Sequence, residues 1–151
     1  MTQEEEIKTA QKILSDFLSL QQMRCTAERD KIVECIYTYN GHFTPDTIYE
    51  LMKKSFRVSR GTVYNTFEVL VKCNLIVQHH FLNNRVEYEK TTANATHHHR
   101  ICTKCGEVVE FSDLKIKRAI KNRTFTTFDV DYQTVYLYGI CKKCKRKYGL
   151  K

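Results

Sequence analysis

A chain of 151 residues with 42% hydrophobic and 28% charged residues, 5 Gly and 1 Pro is composed like a folded protein and is too apolar for a disordered one. Its formal charge of +8 favours a polyanionic partner, nucleic acid first among them. No apolar run approaches the roughly 20 residues of a membrane span, the acidic start from Met1 to Glu6 is unlike an export signal, and seven Cys then point to a reducing cytoplasm and metal ligation rather than disulfides.

Ile7, Ala10, Ile13, Leu14, Phe17 and Leu18 fall at helical spacing and predict a helix from Gln3 to Leu20. Thr26 is the expected N-cap of a second helix carrying Ile32, Val33, Cys35 and Ile36 and ending near Asn40-Gly41. Thr44-Pro45, a cap followed by Pro at the first helical position, starts a third helix through Ile48, Leu51 and Met52. Ser59 caps a fourth, running through Val63, Phe67, Leu70 and Val71 to about Asn74. Residues 75–81, an Asn83-Asn84 turn and residues 85–89 then read as a hairpin. Helices followed by a hairpin describe a winged helix-turn-helix, placed over residues 1–90.

Residues 91–96 are small and polar and read as a hinge. The remaining residues, 97–151, predict strands around Arg100–Cys102 and Val108–Phe111, a basic helix from about Ser112 to Asn122, and a long alternating strand from Phe128 to Ile140. The expected fold class is α+β: the winged helix-turn-helix, then a small α/β domain closed by zinc.

Three constellations carry chemistry. Cys102 and Cys105 form one Cys-x-x-Cys knuckle and Cys141 and Cys144 another, supplying the four thiolates of a tetrahedral structural Zn(II) site. The 35 residues between the knuckles exceed a short zinc ribbon, so the ion must staple two distant strand ends; a redox dithiol is the alternative, and the presence of two pairs argues against it. His97 and His99 alternate and would share a strand face, which Glu110 on the next strand and His42 in a loop could join. Imidazole and carboxylate donors suit Fe(II), Mn(II), Co(II) or Zn(II). In the Ser59–Thr66 segment the polar residues crowd the first turns of a helix, where a recognition helix meets base edges. Tyr64 suits a thymine methyl and Asn65 an adenine or a phosphate, while Arg24, Arg29, Arg57 and Arg60 suit phosphate or the minor groove.

Together these residues resemble the ferric uptake regulator (Fur) family of metal-dependent repressors, from about Arg24 to Cys144. The resemblance rests on Arg24-x-Thr26-x-x-Arg29, Gly61-Thr62-Val63-Tyr64, His97-x-His99-x-x-Cys102-x-x-Cys105-Gly106, Val109-Glu110-Phe111 and Tyr136-x-Tyr138-Gly139-x-Cys141-x-x-Cys144. It implies an N-terminal winged helix, a C-terminal dimerisation domain, and a homodimer that binds palindromic double-stranded DNA operators. By the same resemblance Cys102, Cys105, Cys141 and Cys144 match the structural zinc ligands, and His42, Glu89, His97, His99 and Glu110 the regulatory metal site. Tyr64 matches the tyrosine that touches bases and Arg24 the basic residue entering the minor groove; Arg57, Ser59, Arg60, Thr62 and Asn65 complete the expected DNA surface.

Three departures refine this expectation. The further metal site common in the family meets His98, Lys117 and Gln133 here and is expected to be absent. The gap from Glu89 to His97 is one residue longer than the common pattern, so Glu87 is a rival ligand. Asn65 replaces the Arg usual in iron-responsive members and resembles the peroxide-sensing branch, whereas Glu110, in place of that branch's usual Asp, resembles the iron-responsive type. No Cys matches the one that zinc-uptake regulators place in the regulatory shell. The expected effector is therefore Fe(II), with Zn(II) or Mn(II) able to occupy its place, and peroxide sensing or zinc response as alternatives within the family. A small zinc hydrolase using His42, His97, His99 and Glu110 is a remote alternative, because five protein ligands leave little room for an activated water; no enzymatic role is expected. A haem sensor using Cys25 or His79-His80 lacks a recognisable motif.

Overall fold

The computed structural model describes residues 1–92 and 97–151, so residues 93–96 of the expected hinge lie outside the described residues. The chain divides into two units, one of Met1–His80 with Val86–Thr91 and one of Phe81–Arg85 with Thr92–Lys151.

Four helices build the first unit, each opened by a side-chain cap that satisfies a terminal N–H. In α1 (Gln3–Leu20) Thr2 and Glu5 form a capping box. Thr26 caps α2 (Ala27–Thr38), Thr44 caps α3 (Pro45–Met52), and Ser59 caps α4 (Arg60–Lys72). The expected caps at Thr26, Thr44 and Ser59 are all present, while α2 stops at Thr38, short of Gly41, and α4 stops at Lys72, with Asn74 in the left-handed region at φ 58°. Leu14 and Leu18 of α1, Ile32 and Ile36 of α2, Ile48 of α3, and Val63, Phe67 and Leu70 of α4 are buried in one continuous core.

β1 (Ile76–His80) and β2 (Val86–Lys90) form the antiparallel hairpin. Asn83 and Asn84 turn its tip with φ of 61° and 57° and an Arg85 N–H to Leu82 carbonyl bond of 3.3 Å, the positive-φ pair that suits the twist of a hairpin. Phe43 lies against β2 as an isolated bridge to Tyr88, exchanging backbone bonds of 2.9 and 2.8 Å.

The second unit holds a three-stranded sheet in the order β4-β3-β5, made of β3 (His98–Cys102), β4 (Val108–Phe111) and β5 (Tyr136–Gly139). β4 is antiparallel to β3 and β5 is parallel to it. Asp113 caps α5 (Leu114–Lys121), and Cys141 caps α6 (Lys142–Lys147). One expectation fails: the long strand from Phe128 to Ile140 reduces to Tyr136–Gly139. Its alternation is real, but Phe128, Val130 and Tyr132 are exposed, and a strand exists only where its backbone finds a ladder partner. No helix among the described residues is long and apolar enough to cross a membrane.

Phe67 of α4 sits edge-on between Phe43 (5.7 Å) and Tyr88 (5.0 Å), joining the helix to the loop and the hairpin. Phe67→Ala is expected to destabilise the protein by about 3–5 kcal/mol, from lost burial and the residual cavity. Urea unfolding followed by far-UV circular dichroism measures this, and a loss below about 1 kcal/mol would contradict the packing role.

Candidate metal centre

The two Cys knuckles meet because β3 and β5 run parallel in register, Cys102 beside Gly139, which carries the chain into Cys141 two residues later. Gly106 closes the first knuckle at φ 76°, a left-handed turn that a side chain would strain, while its N–H donates to the Cys102 carbonyl at 2.9 Å. The Cys102 sulfur accepts the Cys141 N–H at 3.4 Å, and the Cys141 sulfur accepts the Cys144 N–H at 3.4 Å. The sulfurs of Cys105 and Cys141 are 3.9 Å apart, and all four sulfurs lie within 4.8 Å of one another. Sulfurs held about 2.3 Å from one tetrahedral zinc are about 3.8 Å apart, so the cluster suits structural Zn(II).

The electrostatics agree. Backbone N–H groups of Cys105 and Cys141 pull the Cys102 thiol down to about 6, whereas burial and the neighbouring sulfurs push Cys144 up to about 12. Four thiolates at this spacing repel one another unless a cation neutralises them.

The imidazole and carboxylate residues fall into two groups, one in each unit. In the first, His42 Nε2 lies 3.3 Å from a Glu89 oxygen and its Nδ1 lies 3.2 Å from Glu87, with His42 half-buried. His79, fully buried, meets the other Glu89 oxygen at 2.7 Å. This last partner escaped sequence reasoning, which noticed His79 only beside His80; the hairpin register was the signal that could have found it.

In the second group the strand alternation places His97 and His99 together, rings 4.8 Å apart, with His99 buried against Tyr136 and His97 Nε2 3.6 Å from Glu110. Glu110 is the ladder partner of His99. His98 points the other way, fully buried against Phe111, and neither of its ring nitrogens has a hydrogen-bond partner among the described residues. Lys117 is half-buried on α5, and Gln133 lies in the irregular segment before β5.

On the face of α4 expected from the sequence to meet DNA, Tyr64 and Asn65 are exposed while their neighbours Val63, Thr66 and Phe67 are buried. Arg24 and Arg57 are also exposed, and the Arg29 guanidinium donates to the Arg24 carbonyl at 2.7 Å. Arg60 is paired with Asp46 and stacked on Tyr49, 4.5 Å from the ring centre. The hydroxyls of Ser59 and Thr62 bond each other at 2.8 Å within the cap of α4.

The ferric uptake regulator family model matches residues 20–138. The peroxide-responsive repressor PerR of Staphylococcus epidermidis is 28% identical over 127 residues, covering 83% of each chain. The ferric uptake regulator of Pseudomonas aeruginosa, solved with manganese, is 26% identical with a TM-score of 0.68, covering 94% of this chain and 99% of that one. The Helicobacter pylori ferric uptake regulator, 23% identical with a TM-score of 0.66 over 96% and 95% of the two chains, shares the fold.

Cys102→Ser is expected to leave the purified protein without its thiolate-bound zinc and with the second unit unfolded, because structural zinc contributes folding free energy directly. Protons compete with the metal for the thiolates, so chelation of zinc from the unmodified chain should become easier as pH falls from 8 to about 6. Elemental analysis with near-UV circular dichroism checks both points. A zinc-free variant that keeps the unmodified spectrum would contradict the assignment.

Proposed function

The chain belongs to the ferric uptake regulator family, and on that premise we propose that it is a repressor that binds palindromic operator DNA as a homodimer when its regulatory site is loaded, with Fe(II) as the effector. The division of labour follows the expected domains: residues 1–90 read DNA, residues 97–151 dimerise and bind metal, and residues 91–96 link them. The regulatory ligands are His42, Glu89, His97, His99 and Glu110. The observation that carries this reading is the donor chemistry of the two groups: His42 with Glu89, and His97 and His99 with Glu110, are both nitrogen-and-oxygen sets, and each alone is an incomplete shell.

When bound, a divalent cation would supply a single positive centre that all five donors could share. His42 and Glu89 belong to the unit that carries the recognition helix, and the other three donors belong to the unit that carries the thiolate cluster. Ligands drawn from both units restrict their relative freedom, which in a dimer restricts the separation of two recognition helices; successive half-sites lie about 34–36 Å apart or at multiples of that. Moving such an equilibrium from one part in a hundred to ninety-nine takes a differential of about 5.5 kcal/mol between the two states. Tyr64 and Asn65, exposed on α4, are the base-reading residues, Arg24 enters the minor groove, and Arg57, Ser59, Arg60 and Thr62 contact the backbone. Phe128, Val130 and Tyr132, exposed and alternating, are the surface a second copy covers.

Fe(II) is favoured by Glu110 and by a regulatory donor set without cysteine. A second reading, peroxide sensing, is supported by Asn65 and by the resemblance to the peroxide-responsive repressors.

Two outcomes test the proposal. His99→Ala is expected to abolish the metal-dependent gel shift of operator DNA while the zinc content of the thiolate site stays unchanged; repression surviving at the same metal concentration would remove His99 from the site. Titrating zinc-retaining protein anaerobically with Fe(II), Mn(II) and Zn(II), and then adding peroxide, separates the effectors. Release from DNA by peroxide at micromolar levels would replace the iron reading with the peroxide one.

A further inference from the structure

The long gap from Glu89 to His97 leaves Glu87 as a rival ligand, and both residues project from the same face of β2. We propose that the two have different roles: Glu89 is the carboxylate ligand, Glu87 is a positioning residue that fixes the ring of His42, and His79 is a positioning residue that holds Glu89. This inference rests on reading His42 and Glu89 as regulatory ligands.

The hairpin register sets up the arrangement. His79 pairs with Glu87 and Val77 with Glu89, so these side chains share one face of the hairpin. The paired backbone bonds between Phe43 and Tyr88 lock the adjacent residue His42 over the same stretch of β2. His42 consequently has a carboxylate at each ring nitrogen, Glu87 at Nδ1 (3.2 Å) and Glu89 at Nε2 (3.3 Å).

Ring geometry separates their roles. The two nitrogens of an imidazole point away from each other, so one ion cannot bind both. An acceptor at Nδ1 keeps the ring proton there and leaves the Nε2 lone pair for a metal. Two donors about 2.1 Å from one ion and at right angles lie about 3 Å apart. The separation of His42 Nε2 from Glu89 fits such a pair, as does that of Nδ1 from Glu87; with Glu89 taken as the ligand, the ion lies on the Nε2 side. Glu87, on the opposite side of the ring, is the outer partner that sets tautomer and orientation.

His79 acts on the other ligand. Its ring is fully buried, and Nε2 donates to Glu89 Oε1 at 2.7 Å, leaving Oε2 as the oxygen that faces His42. A rigid donor on one carboxylate oxygen fixes the direction of the other. Partners of this kind typically change metal affinity by about 10–100-fold without changing the ligand set.

The test uses Co(II) as probe, added to the full chain with zinc in its four-cysteine site. Glu87→Val is expected to weaken Co(II) binding by about 10–100-fold while leaving the ligand-field bands at their original positions. Glu87→Gln, which keeps a neutral acceptor, should recover much of that loss. Glu89→Gln should shift the bands, because a ligand changes. His79→Leu should weaken binding with unshifted bands, and His79→Gln, which restores a donor, should recover part of it. Affinity within about twofold of the original chain for Glu87→Val, or bands shifted as in Glu89→Gln, would overturn the role of Glu87. No recovery in His79→Gln, with both His79 variants folded, would overturn the role of His79. If the unmodified chain binds no Co(II) outside the thiolates, the regulatory reading itself fails, a result distinct from either.

Discussion

The convergence of four sulfurs is the constraint on which the second unit depends. Its described buried side chains are few: Phe81, His98, His99, Ile101, Cys102 and Cys144. Four of these six are a histidine or a cysteine of the thiolate cluster, and no continuous apolar core of described residues stands behind them. The first unit is different, with a core running from Ala10 to Ile76 through all four helices. Zinc held by four thiolates contributes about 10–16 kcal/mol in small metal-dependent folds, comparable with the whole stability of an ordinary domain, about 5–15 kcal/mol. The ion therefore does for the second unit what Leu14, Ile36, Phe67 and their neighbours do for the first. Because the knuckles tie the ends of β3 and β5, they also fix the strand on which His98 and His99 stand.

In the first unit one aromatic side chain does comparable work. Phe43 is buried, bonded through its backbone to Tyr88 and packed edge-on against Phe67. His42 precedes it in the chain, and Tyr64 lies one helical turn before Phe67 on α4. A displacement of the His42 loop is therefore felt by the helix that presents Tyr64 and Asn65, through contacts that are close-packed rather than compliant. Arg60 strengthens the same frame, since its pairing with Asp46 and stacking on Tyr49 brace the start of α4 against α3. The value of that exposed ion pair is small in itself; its effect is to hold the first turn of α4 in one orientation.

Local signals were legible in the sequence and non-local ones were not. Thr26, Thr44-Pro45 and Ser59 announce helix starts because a cap needs only its own next three residues. Asn83-Asn84 announces a turn because few residues accept positive φ. The Cys pairs are legible because thiolate spacing reflects zinc geometry. The strand expected from Phe128 failed for the opposite reason: alternation says that one face is to be buried, but not what buries it. The bond from His79 to Glu89 was also hidden, since it depends on the register of two strands and on a third segment docking at Phe43. His98 offered no warning of its burial, because alternation alone does not say which sheet face is covered.

The separation of donor types has a consequence for metal choice. A four-thiolate tetrahedron is a soft site that favours zinc, and its small closed geometry excludes ions that need additional oxygen donors. Imidazoles and carboxylates form a harder set, on which intrinsic affinity still rises from Mn(II) through Fe(II) to Zn(II). Ligand type alone thus cannot make the second set an iron sensor. Two other factors can: the concentration of each free ion, and the coordination geometry that the protein imposes. At the proposed site the second factor would come from rigid parts, the His42 ring contacted from behind by Glu87 and the Glu89 carboxylate bonded to buried His79. Flexible ligands would relax around whichever ion arrived, whereas braced ones penalise an ion whose preferred geometry differs. At the proposed regulatory site, discrimination would then depend on the residues around the ligands as much as on the ligands themselves.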